Sequence, residues 1–185
     1  MISDTVSDAE RRMTKAVEAA QHDYTTIRTG RANPALLERV TVEYYGTNMP
    51  VSQLGTISVP EPRLLVIAPW DKSAIPHIER AITKSDLGLT PASDGNVIRL
   101  SIPQLTEERR RELIKVLHKK AEDHRVAVRN VRRDANEELK RMEKAGEVSE
   151  DDVHRAQEQI QKLTDKCVEQ IDRITAAKEA ELMEV

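Results

Sequence analysis

The stretch TEERRRELIKVLHKKAEDHRVAVRNVRRDANEELKRMEKAG, residues 106–146, places apolar side chains at Ile114, Leu117, Ala121, Val128, Val131, Ala135, Leu139 and Met142. Spacings built from threes and fours mark one face of a long helix. Thr106 is a natural cap, Glu107 and Glu108 suit the positive end of the helix dipole, and Gly146 supplies the stop. Such a helix has one apolar stripe and cannot bury it alone, so the rest of the chain must provide partners.

Two partners are legible. Ser149 caps a last helix with Glu150, Asp151 and Asp152 in its first turn and a stripe of Val153, Ala156, Ile160, Leu163, Cys167, Ile171, Ile174 and Leu182. At the other end Ile2, Val6, Ala9, Met13, Val17, Ala20, Tyr24 and Ile27 predict a helix from about Ser3 to Thr29, with Ser3 or Ser7 as alternative caps and Gly30 as the stop. Three amphipathic helices, each on the order of 40–60 Å long, predict an elongated bundle.

Between the first helix and the other two the texture changes. All eight prolines lie between Arg31 and Pro103. Val40–Tyr45, Thr56–Val59, Leu64–Ala68 and Val97–Ile102 are short, β-branched and bounded by turn residues, which predicts strands. Ser73–Lys84 has a helical apolar spacing, with Asp71 or Ser73 as cap. The expected fold class is therefore α+β. Residues 1–30 and 105–185 form a discontinuous three-helix bundle, and residues 31–104 form an inserted small α/β, β-rich domain. A hinge is expected near 29–31 and 103–106, at Gly30, Gln104 and Leu105.

Composition narrows function. The 185 residues carry 29 Lys and Arg against 32 Asp and Glu, a formal net charge of -3 that argues against histone-like binding of nucleic acid, and no DNA partner is expected. One Trp, three Tyr and no Phe leave little for a base-stacking platform. Cys167 is the only cysteine, which excludes a disulfide framework and a Cys-rich metal site. It sits on an apolar stripe and is expected to be a buried small hydrophobe. No signal-peptide pattern or membrane span is present, so the expectation is a cytoplasmic protein with no membrane partner.

Enzyme signatures are missing. GxxxxGK[ST] and GxGxxG do not occur, and His22, His77, His118, His124 and His154 show no metal-ligand spacing. No catalytic residue, cofactor or metal is expected, and the histidines are assigned to surface or packing. Trp70, between Pro69 and Asp71, is expected to pack over the edge of the α/β domain, with an exposed contact as the alternative.

The net charge conceals a sorted pattern. From Arg109 to Arg133 there are ten Lys and Arg against Glu112, Glu122 and Asp123; from Asp134 onward there are eight basic and fifteen acidic residues. Arg111, Lys115, Arg125, Arg129, Arg132 and Arg133 fall within about a third of the helix circumference at roughly 100° per residue. These arginines either pair with acids of a neighbouring helix or present guanidinium forks to phosphate. Arg28 and Arg31 add basic groups beside Gly30. Without a stacking platform, the nucleic-acid reading favours structured RNA recognised by shape and phosphate.

IRTGRANPALL (residues 27–37), VEYYGT (42–47), SDLGLTP (85–91), LTEERRREL (105–113) and VRNVRRDAN (128–136) together resemble the bacterial ribosome recycling factor family over the full length. The resemblance implies an L-shaped, tRNA-like, non-catalytic monomer. It implies binding to the post-termination ribosome, mainly to large-subunit ribosomal RNA, and splitting of subunits with elongation factor G, whose GTP it does not itself use. It also implies that Arg28, Arg31, Arg129, Arg132 and Arg133 face RNA; Arg125 joins them from the helical arc. The competing expectation is a helical adaptor or chaperone whose basic face binds an acidic protein.

Overall fold

The computed structural model describes residues 1–184, and the chain divides into two compact units. One comprises Met1–Ile27 and the chain from Arg110 onward; the other is Arg28–Arg109. The first is made of α1 (Ile2–Thr25), α3 (Glu107–Lys144), which begins three residues before the unit boundary, and α4 (Glu150–Met183). The second contains strands β1 (Thr41–Tyr44), β2 (Thr47–Pro50), β3 (Gly55–Glu61), β4 (Leu64–Pro69), β5 (Pro91–Ser93) and β6 (Ile98–Ser101), with α2 (Ile75–Lys84). No helix among the described residues is long and apolar enough to cross a membrane.

The stripes of α1, α3 and α4 bury one another. Ala9, Met13, Val17 and Ala20 meet Val128, Val131, Ala135 and Leu139, and both sets meet Val153, Ala156, Ile160, Cys167 and Ile171. The contacts fix the helix directions. Met13 approaches Thr164 and Tyr24 approaches Thr175, so α1 and α4 run parallel at a constant offset of 151 residues. Arg12 with Asp134 and Asp23 with Lys120 make α3 antiparallel to α1. Arg132 with Gln161 and Arg125 with Asp172 make it antiparallel to α4 as well.

Several local expectations are corrected. α1 begins at Ile2 with Met1 as its cap and no side-chain hydrogen bond there, so Ser3 and Ser7 lie inside the helix. It ends at Thr25 rather than Thr29. The hydroxyls of Thr25 and Thr26 bond back to the carbonyls of His22 (2.6 Å) and Asp23 (2.7 Å), and the backbone tightens into i→i+3 bonds there, four residues short of Gly30. In α3 the buried residue of the first turns is Leu113, with Ile114 only half-buried. In α4 Thr164 and Thr175 occupy the core line, and Leu163 and Ile174 flank it. The other ends follow the expected chemistry: Thr106 Oγ1 accepts from the Arg109 N–H at 3.1 Å, Ser149 Oγ accepts from the Asp152 N–H at 3.1 Å, and Gly146 turns the chain at φ 71°.

In the smaller unit β3, β4, β6 and β5 form, in that order, an antiparallel sheet, and β1 and β2 form a separate hairpin. Leu65 and Ile67 of β4 and Ile98 and Leu100 of β6 alternate into the core beneath Ile75, Ile78 and Ile82 of α2. Each such side chain contributes about 1.5–3 kcal/mol when fully buried. Strands β2 and β5 escape sequence reading because TNMP and PAS are short, polar or proline-bearing edge segments with no alternating apolar pattern. Trp70 does not pack over the domain edge: it is 72% exposed. Its N–H bonds the Leu54 carbonyl at 3.1 Å, which fixes the backbone while the ring faces water.

Candidate nucleic-acid interface

Four of the expected RNA-facing arginines share one side of α3. That side borders α4, whose acids could neutralise it, and the extent of pairing varies along the row. Arg125 is held most firmly: its Nε donates to Asp172 Oδ1 at 2.7 Å and its Nη1 to Glu122 Oε2 at 3.2 Å. Partial burial disfavours its charge, but the hydrogen bond it donates to Asp172 and the facing carboxylates more than compensate, so its pKa is raised above the ordinary arginine value. The group braces α3 against α4.

Pairing weakens along the row. Arg129 Nη1 donates to Glu122 Oε1 at 3.2 Å, an exposed pair. Among the described residues Arg132 reaches only the neutral Gln161 Oε1, at 3.4 Å, and Gln161 in turn donates to Asp165. Arg133 is exposed and has no ion pair or hydrogen bond among the described residues. Neutralisation by the neighbouring helix thus holds for Arg125 and fails for Arg132 and Arg133. Two adjacent guanidiniums on a rigid helix, without a facing carboxylate, suit paired contacts to phosphate oxygens.

Arg28 and Arg31 belong to the other compact unit. Arg28 is exposed and donates to the Asp86 carbonyl at 3.3 Å; Arg31 is exposed and engaged within the chain. Gly30, Gln104 and Leu105 are in the same unit. A side chain on Gly30, at φ 75°, would meet Leu105 Cγ at 3.3 Å, so the outgoing and returning segments lie side by side. Gln104 is exposed.

His118 and His124 have local ionic partners. His124 Nε2 lies 2.9 Å from Asp23 Oδ2 in a network with Lys120, and its ring meets the edge of Tyr24. His118 lies 3.3 Å from Glu179. Cys167 is buried, and that burial pushes its thiol pKa up, as suits a packing residue.

Sequence reading missed a second charged surface in the smaller unit. A groove of about 670 Å³ lies between the β1–β2 hairpin and α2, with Arg39, Arg80, Lys84 and Tyr45 on its walls. Its signal was the Tyr-Gly pair in VEYYGT. A two-residue hairpin turn with positive φ at both positions favours Asn or Asp before Gly, so a tyrosine there is anomalous.

The family model described as "Ribosome recycling factor" matches residues 20–183. The ribosome-recycling factor of Halalkalibacterium halodurans is 62% identical over 185 residues, covering 100% of both chains. A solution structure of a ribosome recycling factor superposes with a TM-score of 0.81 at 50% identity, covering 100% of this chain and 98% of that one. A second similar structure, with a TM-score of 0.69 at 42% identity and full coverage of both chains, comes from models of the T. thermophilus ribosome recycling factor and the E. coli elongation factor G bound to the E. coli post-termination complex.

Proposed function

This chain belongs to the ribosome recycling factor family, and we propose from that premise that it binds the post-termination ribosome and, with elongation factor G, splits it into subunits so that mRNA and tRNA are released. It is a non-catalytic translation factor. GTP is hydrolysed by the partner factor, and this chain takes no cofactor and works in the cytoplasm as a monomer.

The observation that carries the RNA assignment is the gradient of pairing along α3. Arg129, Arg132 and Arg133 progressively lose intramolecular acids, which leaves their forks available to large-subunit ribosomal RNA. Arg125 borders this face as a positioning brace, its own charge met by Asp172 and Glu122. Arg28 and Arg31 provide a second group of phosphate contacts. Residues 29–31 and 103–106 act as the joint, with Gly30, Gln104 and Leu105 absorbing the backbone change when elongation factor G engages.

The decisive test is light scattering of post-termination ribosomes mixed with elongation factor G and GTP, with and without this protein. Splitting that depends on the protein is expected. Equal scattering traces in both mixtures would remove the functional assignment. Sedimentation of the protein with intact and nuclease-treated large subunits tests the RNA part separately: loss of binding after nuclease treatment is expected, and unchanged binding would transfer the face to a protein partner.

A further inference from the structure

The groove of the smaller unit is independent of the α3 face. We propose that it receives an unpaired nucleotide of RNA, with the base on the Tyr45 ring and the flanking phosphates against Arg39, Arg80 and Lys84.

Tyr44↔Thr47 closes the hairpin, which leaves Tyr45 and Gly46 at φ 50° and 75° in the turn. An aromatic residue at positive φ is strained and needs a reason. Burial is not the reason, because Tyr45 is 82% exposed. The ring is nevertheless positioned. It makes an edge contact with Tyr44 at a centroid distance of 4.4 Å, and Tyr44 in turn meets His77 at 5.5 Å. Tyr44 is fixed from below, its hydroxyl donating to Asp71 Oδ2 at 2.9 Å with Ser73 Oγ at 3.1 Å. A strained, propped and open aromatic face is a stacking surface.

Arg80 and Lys84 are one turn apart on α2 and repel each other, and Arg39 stands across the groove. None of the three has an ion pair or hydrogen bond among the described residues. Glu43 is the one carboxylate on the walls, so the groove is net positive and an anion relieves its repulsion. Its volume of about 670 Å³ falls within the roughly 300–1,000 Å³ typical of sites for small ligands.

Together these features select the ligand. An acidic peptide would use the cations and leave the tyrosine unexplained. A duplex would present phosphates but hide its bases. An unpaired nucleotide uses both, and Glu43 and Asn48 can accept from and donate to its base edge.

The test is NMR on the full chain, with a mixed-sequence single-stranded RNA of about six nucleotides as the probe. A blunt RNA duplex, hexaglutamate and inorganic phosphate are the comparison ligands. Single-stranded RNA is expected to shift the Tyr45 ring and Arg80 side-chain resonances saturably. Tyr45→Asn removes the ring while suiting the turn, so it should keep or raise the melting temperature and weaken binding at this site about tenfold. Arg80→Gln with Lys84→Gln should lower the local salt slope by roughly two. The proposal is overturned if no resonance moves, if duplex or phosphate shifts Arg80 equally while the Tyr45 ring stays still, if hexaglutamate binds more tightly, or if Tyr45→Asn binds like the wild type. Resonances of Arg129, Arg132 and Arg133 report the α3 face in the same spectra, so failure of either reading is visible alone.

Discussion

The hydroxyl of Tyr24 on α1 lies 2.8 Å from Oγ1 of Thr175 on α4, and both side chains are buried in the bundle. Thr175 has one hydroxyl proton and donates it to the Ile171 carbonyl at 2.7 Å, so Tyr24 is the donor between the two. The bond joins residues 151 positions apart and satisfies a polar group that would otherwise be stranded in an apolar seam.

This arrangement makes an asymmetric prediction. Thr175→Val strands the Tyr24 hydroxyl and should cost about 1–3 kcal/mol, whereas Tyr24→Phe leaves Thr175 bonded to Ile171 and should cost about 1 kcal/mol. The double variant should be more stable than Thr175→Val alone. Urea unfolding of the four proteins provides the cycle, and strict additivity of the two single effects would contradict the pairing.

The same pair shows what could be read in advance. The α4 stripe was legible wherever it is aliphatic, because Val153, Ala156, Ile160, Cys167, Ile171 and Leu182 keep helical spacing. Thr164 and Thr175 sit on the same line but have polar side chains, so apolar spacing alone points to their neighbours Leu163 and Ile174. The structure resolves the conflict because each threonine bonds back to its own helix, at the Ile160 and Ile171 carbonyls, and can therefore be buried. The candidate site follows the same logic. Helical spacing gathered Arg125, Arg129, Arg132 and Arg133 on one face, but only distances distinguish the braced Arg125 from the unpaired Arg133. Tyr45 was visible in VEYYGT, yet its exposure and positive φ depend on the pairing of β2, a strand with no apolar pattern to announce it.

That distinction among arginines is testable. Arg132→Ala and Arg133→Ala should weaken ribosome binding, each lowering the salt slope by roughly one, with the melting temperature unchanged. Arg125→Ala should instead lower the melting temperature, because it removes the brace to Asp172 and Glu122. Binding titrations at several salt concentrations beside thermal unfolding separate the two classes. A destabilised Arg133→Ala or a thermally silent Arg125→Ala would reverse the assignments.

Gly55 offers a steric test confined to the smaller unit. It opposes Pro69 in the β3–β4 ladder, and a Cβ there would lie 2.5 Å from the Ala68 carbonyl oxygen and 2.7 Å from Pro69 Cα. These are backbone atoms of a paired strand and cannot swing aside. Gly55→Ala should destabilise this unit by on the order of 2 kcal/mol. Amide exchange should quicken in β3, β4 and β6 while α1 and α4 keep their protection, and unchanged exchange in β4 would show that the strands can separate at little cost.

Asp23 sets an acid limit on the bundle. Its Oδ1 accepts from Lys120 Nζ at 2.7 Å, and its Oδ2 lies 2.9 Å from His124 Nε2. Burial opposes ionisation of the carboxyl, but the hydrogen bonds from Lys120 and His124 and their nearby charge outweigh it, so the folded pKa lies below the ordinary 3.8. A group whose folded pKa is depressed stabilises fully above its unfolded value and loses that contribution as pH falls through the folded one. The Asp23 contribution should therefore be constant above about pH 5, begin to fall as pH approaches 3.8, and vanish only below the folded pKa, which is lower still. Asp23→Asn removes the titrating group but keeps an oxygen acceptor for Lys120. Urea unfolding of wild type and Asp23→Asn across the acid range should give a stability gap that is level near neutrality and closes on acidification. A gap that persists below the folded pKa would mean that shape, rather than the charge on Asp23, joins α1 to α3 at this point.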